Sequence, residues 1–131
     1  MNRKHTIVWV DHHEAHVVQL HAEGADYEAS RVRGLGGQTH DKRHDSGHRH
    51  VLDTLFADRI AQALEDSEEI LVCGPSTAKD ELMARLRDHH PAIAKRVIAV
   101  EPMDHPTEAQ LADHARRAFR IADRMRGVHV R

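Results

Sequence analysis

Ile70-Leu71-Val72-Cys73-Gly74-Pro75-Ser76-Thr77-Ala78-Lys79 is the stretch that decides the fold. Four apolar residues closed by Gly-Pro are too short for a helix and read as a buried strand. Ser76 or Thr77 then opens a helix, with Thr77 placed as its N-cap and Leu82, Met83 and Leu86 turned inward. A strand that runs straight into a helix is half of a parallel crossover unit. The other half follows: His90-Pro91 breaks the helix, and Val97-Ile98-Ala99-Val100 makes a further strand. Asp104-His105-Pro106 then turns into a last helix. Thr107-Glu108-Ala109-Gln110 has the pattern of a capping box, and Leu111, Ala115, Ala118, Phe119, Ala122 and Met125 form the stripe that helix buries. Arg116, Arg120 and Arg124 lie outward at helical spacing.

Upstream, residues 51–64 place Leu52, Phe56, Ile60 and Leu64 on one i, i+4 row, an amphipathic helix. Residues 5–10, 15–20 and 27–32 read as three short strands, joined by turns at 11–14 and 23–26 into an antiparallel meander. The predicted order is β-β-β-α-β-α-β-α. It corresponds to an α/β, ribonuclease H-like three-layer domain: a mixed five-stranded sheet, antiparallel meander then parallel crossovers, with about three helices. One domain over residues 1–131 is expected, with a flexible Gly/His-rich loop at 33–50. A chain of this length removes roughly 65–70% of its unfolded surface from water on folding.

The one cysteine, Cys73, stands in an apolar strand, so it reads as a buried thiol in a reducing compartment. The N-terminal apolar run 6–10 is far too short for a signal segment or a membrane span, so a cytoplasmic protein without a membrane partner is expected. The net charge of −2 conceals an asymmetry. Acidic residues dominate 58–81, whereas five Lys/Arg oppose two Asp in 31–50 and six Arg oppose Asp123 from residue 114 onward. Basic faces of this kind suit an anionic partner such as RNA.

Chemistry concentrates in the loop. Arg33-Gly34-Leu35-Gly36-Gly37-Gln38-Thr39 is followed by His40, His44, His48 and His50. Paired glycines let a backbone approach a ligand closely, and the histidines could converge on a divalent transition metal such as Zn or Ni. Arg33, Lys42, Arg43 and Arg49 give the loop its positive charge. His12, His13 and His16 form a second cluster, read as solvated or hydrogen-bonded residues of a turn. Gly74 to Lys79 lacks the second glycine and the Lys-Ser/Thr pair of a nucleotide-hydrolysing loop, which leaves Ser76, Thr77 and Lys79 as contacts for an RNA phosphate. Metal-dependent nuclease chemistry would need Asp11, Asp53 and Asp104 gathered at the strand ends.

The element order, the Gly-Gly-Gln loop before the first helix and the segment 70–79 resemble the middle domain of eukaryotic and archaeal class I release factors and their Pelota relatives. The chain also resembles small single-domain bacterial proteins described as translational machinery proteins. Val8-Trp9-Val10-Asp11-His12-His13-Glu14-Ala15, His44-Asp45-Ser46-Gly47-His48 and Asp104-His105-Pro106-Thr107-Glu108-Ala109-Gln110-Leu111 carry that likeness. It implies that a Gly-Gly-Gln loop enters the peptidyl-transferase centre and positions water for ester hydrolysis of peptidyl-tRNA, a role that would fall on Gly36, Gly37 and Gln38. The expected function is a translation-associated module that binds the ribosome, tRNA or rRNA through the loop and the basic last helix, with no required cofactor and no DNA partner. Two alternatives stand beside it: a peptidyl-tRNA hydrolase, and a metal-binding protein using the loop histidines.

Overall fold

In the computed structural model, residues 4–21, 26–34 and 52–126 are described, with side chains in the last helix described as far as Arg120. Five strands and four helices follow in the order β1 (Lys4–Val10), β2 (Glu14–Leu20), β3 (Tyr27–Arg33), α1 (Thr54–Ala63), β4 (Ser67–Gly74), α2 (Ala78–His89), α3 (Pro91–Ala94), β5 (Val97–Pro102) and α4 (Glu108–Arg126). The strands form one sheet in the order β3-β2-β1-β4-β5. β1 pairs antiparallel with β2, and β2 with β3. β4 pairs parallel with β1 and with β5. This is the expected meander followed by crossovers.

Two details differ from the sequence expectation. A fourth helix exists because Pro91, placed as a breaker, is also a starter: at the first helical position proline's missing N–H costs nothing. Thr77 does not cap α2 with its side chain. Ser76 Oγ accepts from Ala78 N at 3.4 Å instead, and Thr77 Oγ1 donates to Glu81 Oε2 at 3.1 Å. The capping box of α4 is present in both halves, Thr107 Oγ1 accepting from Gln110 N at 3.0 Å and Gln110 Oε1 accepting from Thr107 N at 2.9 Å.

Alternation along the strands splits the core in two. On one face Val8, Val10, Val17, Ile70 and Val72 meet Phe56 and Ile60 of α1, Leu82 and Leu86 of α2, and Ile93 of α3. On the other, Ile7, Trp9, Val18, Leu71 and Cys73 meet one helix among the described residues, α4, through Leu111, Ala112, Ala115 and Phe119. The buried Cys73 thiol donates to the Val8 carbonyl at 3.6 Å, and burial, helped by Glu101, pushes its pKa up to about 12. That thiol is unreactive near neutral pH.

The three-helix face is tied by charge as well as by packing. Asp58 of α1 accepts from Arg85 Nε and Nη2 of α2 at 3.0 and 2.9 Å and lies 2.9 Å from Nε2 of His90, at the head of α3. The Arg85 guanidinium first, then the His90 bond, holds the Asp58 carboxyl far below the usual carboxylate range. Among the described residues no helix is long and apolar enough to cross a membrane.

Candidate functional site

β1, β4 and β5 end on the same edge of the sheet, where the chain leaves the strands and where ligands of open α/β folds gather. Three helices begin there. Asp53 caps α1 by accepting from Leu55 N at 3.1 Å, Ser76 starts α2, and Thr107 starts α4. Gly74 closes β4 against β1 so tightly that a Cβ would overlap the Val10 carbonyl oxygen. The β1–β2 turn is set by Asp11, whose Oδ1 accepts from the backbone of His13 at 2.8 Å and Glu14 at 2.9 Å.

Both residues that flank segment 35–51 are fastened to this edge. Gly34 N donates to the His13 carbonyl at 2.9 Å. Leu52 N donates to Glu81 Oε1 at 2.7 Å, and His12 Nε2 lies 3.2 Å from the same oxygen. His12 and His13, read from sequence as hydrogen-bonded turn residues, are that, and they hold neighbouring chain.

Beside the edge lies a groove of about 600 Å³, between the β2–β3 end of the sheet and the start of α4. Among the described residues α4 is the one helix packed on this face. Trp9 forms its back wall, 1% exposed, with the indole N–H donating to the carbonyls of Met103 and Asp104 at 3.2 and 3.0 Å. Two imidazoles flank the indole: His105 at 4.6 Å between ring centroids and His16 at 5.4 Å. His16 Nε2 lies 3.3 Å from Glu14 Oε2, whose other oxygen is 3.9 Å from Arg31 Nε. Registry places Arg33 opposite Glu14 and Arg31 opposite His16, so the polar side chains of both strands share one face. At the far end Tyr27 is held to the first turn of α4, its hydroxyl pKa raised chiefly by a hydrogen bond to Glu108. Arg33 is exposed and makes no ion pair among the described residues; its carbonyl accepts from Arg59 at 2.6 Å.

The residues expected to carry function are not gathered at one place among the described residues. Gly36, Gly37, Gln38, His40, Lys42, Arg43, His44, His48, Arg49 and His50 lie outside the described residues. Arg33 stands on the groove. Lys79 folds back, its Nζ donating to the Ser76 carbonyl at 2.7 Å and lying 3.5 Å from Asp80, so its charge is largely committed. The Arg116 guanidinium carbon sits 6.0 Å from the centre of the Tyr27 ring, packed against the edge strand. Arg120, one turn on, is exposed, and Arg124 belongs to the same helix. Asp11 and Asp53 spend carboxylate oxygens on backbone N–H groups, and among the described residues no group of three or more His, Cys, Asp or Glu is arranged to hold a metal. The nuclease arrangement therefore does not fit these side chains. Sequence reasoning missed the groove itself. Its signals were the single tryptophan in an aliphatic strand, and the Glu14, His16, Val18 alternation that gives one face of β2 a polar end.

No protein-family model matches the chain. In fold it is similar to parts of proteins of translation: Pelota of Archaeoglobus fulgidus (TM-score 0.59, 18% identity, 97% of this chain and 38% of that one) and an archaeal translation termination factor (TM-score 0.54, 16% identity, 94% and 40%). Pelota of Thermoplasma acidophilum is similar too, with a TM-score of 0.58 and 22% identity over 86% of this chain and 31% of that one. In sequence it is 30% identical over 94 residues to a Pelota homolog of Thermococcus gammatolerans. That alignment takes in 70% of this chain but only 26% of the relative. The chain resembles the middle domain of the release factors and Pelota, in fold throughout and in sequence toward Pelota.

Proposed function

We propose that this chain is a translation-associated domain that contacts the ribosome or structured RNA through the edge where its parallel strands end. The observation that carries the reading is the sequence similarity to a Pelota homolog, joined to a fold likeness that spans nearly the whole chain. Charge supports it: Arg31 and Arg33 on the edge strand and the Lys/Arg residues of 42–49 offer cations to a polyanion. A second reading, ester hydrolysis at Gly36-Gly37-Gln38, is favoured by the anchoring of Gly34 and Leu52 at the strand ends, which fastens both sides of that segment to the same edge.

The test is sedimentation of the untagged full chain with ribosomes from the cells that encode it, at low and moderate salt. Cofractionation that fades with salt is expected, because neutralising each phosphate releases counterions and lowers log K by roughly 0.7–0.9 per unit of log salt. Free protein at every salt overturns the reading. Ribosomes carrying peptidyl-tRNA decide the second: release of the peptide that Gly37→Ala abolishes supports hydrolysis, and release that survives the substitution rejects it.

A further inference from the structure

The components of the groove beside Trp9 belong together. We infer that it is a binding site for one nucleotide of single-stranded RNA, the base lying against the His105 and His16 imidazoles and the phosphate meeting Arg31 and Arg33. The inference rests on the translation reading and gives it a second contact. His105 is exposed and its ring packs on the indole, 4.6 Å between centroids and tilted by 53°, which leaves an aromatic surface at the groove. Such a platform suits a base of any sequence. The floor is apolar through Val18, Ala29 and Leu111, and the volume of about 600 Å³ falls in the range of small-molecule sites.

Charge selects the rest of the ligand. Both carboxylates of the groove are engaged, Glu14 by His16 and Arg31, and Glu108 by Tyr27. Arg33 has no anionic partner among the described residues, and Arg31 keeps only a 3.9 Å contact. The groove therefore offers the Arg33 guanidinium, unpaired among the described residues, with the loosely held Arg31 beside it, next to a stacking surface, the complement of a phosphate next to a base.

Trp9 is the one tryptophan of the chain, and its emission reports the site directly. The experiment titrates the full chain with a mixed-sequence RNA hexanucleotide, with adenosine monophosphate and with inorganic phosphate. The expected result is a saturable change in Trp9 emission with the hexanucleotide, weakened about ten-fold or more by Arg33→Glu and by His105→Ala at unchanged unfolding midpoints. Unchanged hexanucleotide affinity in both variants, with ribosome cofractionation intact, overturns the groove and leaves the translation reading standing. Loss of both RNA and ribosome binding in the native chain overturns both. Phosphate competing as well as the monophosphate reduces the site to an anion pocket and refutes base recognition. A monophosphate bound as tightly as the hexanucleotide refutes the RNA strand in favour of a free nucleotide.

Discussion

The two faces of the sheet are built from the same strands but finished differently. One is roofed by α1, α2 and α3, which interlock through Phe56, Ile60, Leu82 and Ile93 and through the Asp58–Arg85–His90 tie. The other is roofed, among the described residues, by α4 alone, and the end of β2 and β3 beside it lines the groove. The closed face gathers the larger share of aliphatic packing, whereas the open face leaves polar side chains at a wall of buried indole. Stability and recognition are thus assigned to opposite sides of one set of strands, and the alternation of residues along each strand permits it.

The largest effect should come from emptying the closed face. Phe56→Ala is expected to lower unfolding free energy by about 3–5 kcal/mol in urea denaturation. The same truncation at Phe119, 4% exposed on the inner side of α4, should cost about 1–2 kcal/mol less, because a face that carries one helix among the described residues can close on the gap. Equal costs would break the comparison. Next comes Asp58→Asn, expected to cost about 1–1.5 kcal/mol at neutral pH for a partly exposed, charge-assisted network. Since the folded pKa of Asp58 is depressed, its contribution is complete above the unfolded value of about 4 and is lost as pH falls through the folded one. The difference between native and variant proteins should therefore shrink below about pH 4, and a gap that persists there would show that packing, not charge, ties the helices. Smallest is Thr107→Ala, which removes one half of the capping box and should cost about 0.5–1 kcal/mol. Because Thr107 lines the groove beside Trp9, the same variant should also alter Trp9 emission. A change in midpoint without any change in emission would separate the helix cap from the groove.

Much of the fold was legible because it rests on local patterns. The apolar run 70–73, the i, i+4 row from Leu52 to Leu64 and the capping box at Thr107 each announce an element within a few residues. Where the reading slipped, side chains had two available uses. Pro91 stops one helix and starts another, and Ser76 and Thr77 divide between capping and an ion-pair network. β4 starts at Ser67, ahead of the apolar run that revealed it, because Ser67 and Thr6 are buried together and share a hydrogen bond of 2.6 Å across sixty-one positions. The groove was illegible for a stronger reason. Trp9, His16, Arg33 and His105 meet only once strand order is known and once it is known which face α4 leaves uncovered, and neither is written in any short window.

The Thr6–Ser67 bond also bears on the order of assembly. β1, the middle strand of the sheet, is synthesised well before its parallel neighbour β4. Its β2 edge can be satisfied at once by a local hairpin, but the edge meant for β4 stays open until some sixty more residues have been made. During that interval Ile7, Val8, Trp9 and Val10 form a half-covered apolar strand with unpaired backbone groups, the kind of surface that misassembles or attracts a chaperone. Closing the β1–β4 ladder is therefore the late, non-local step of folding.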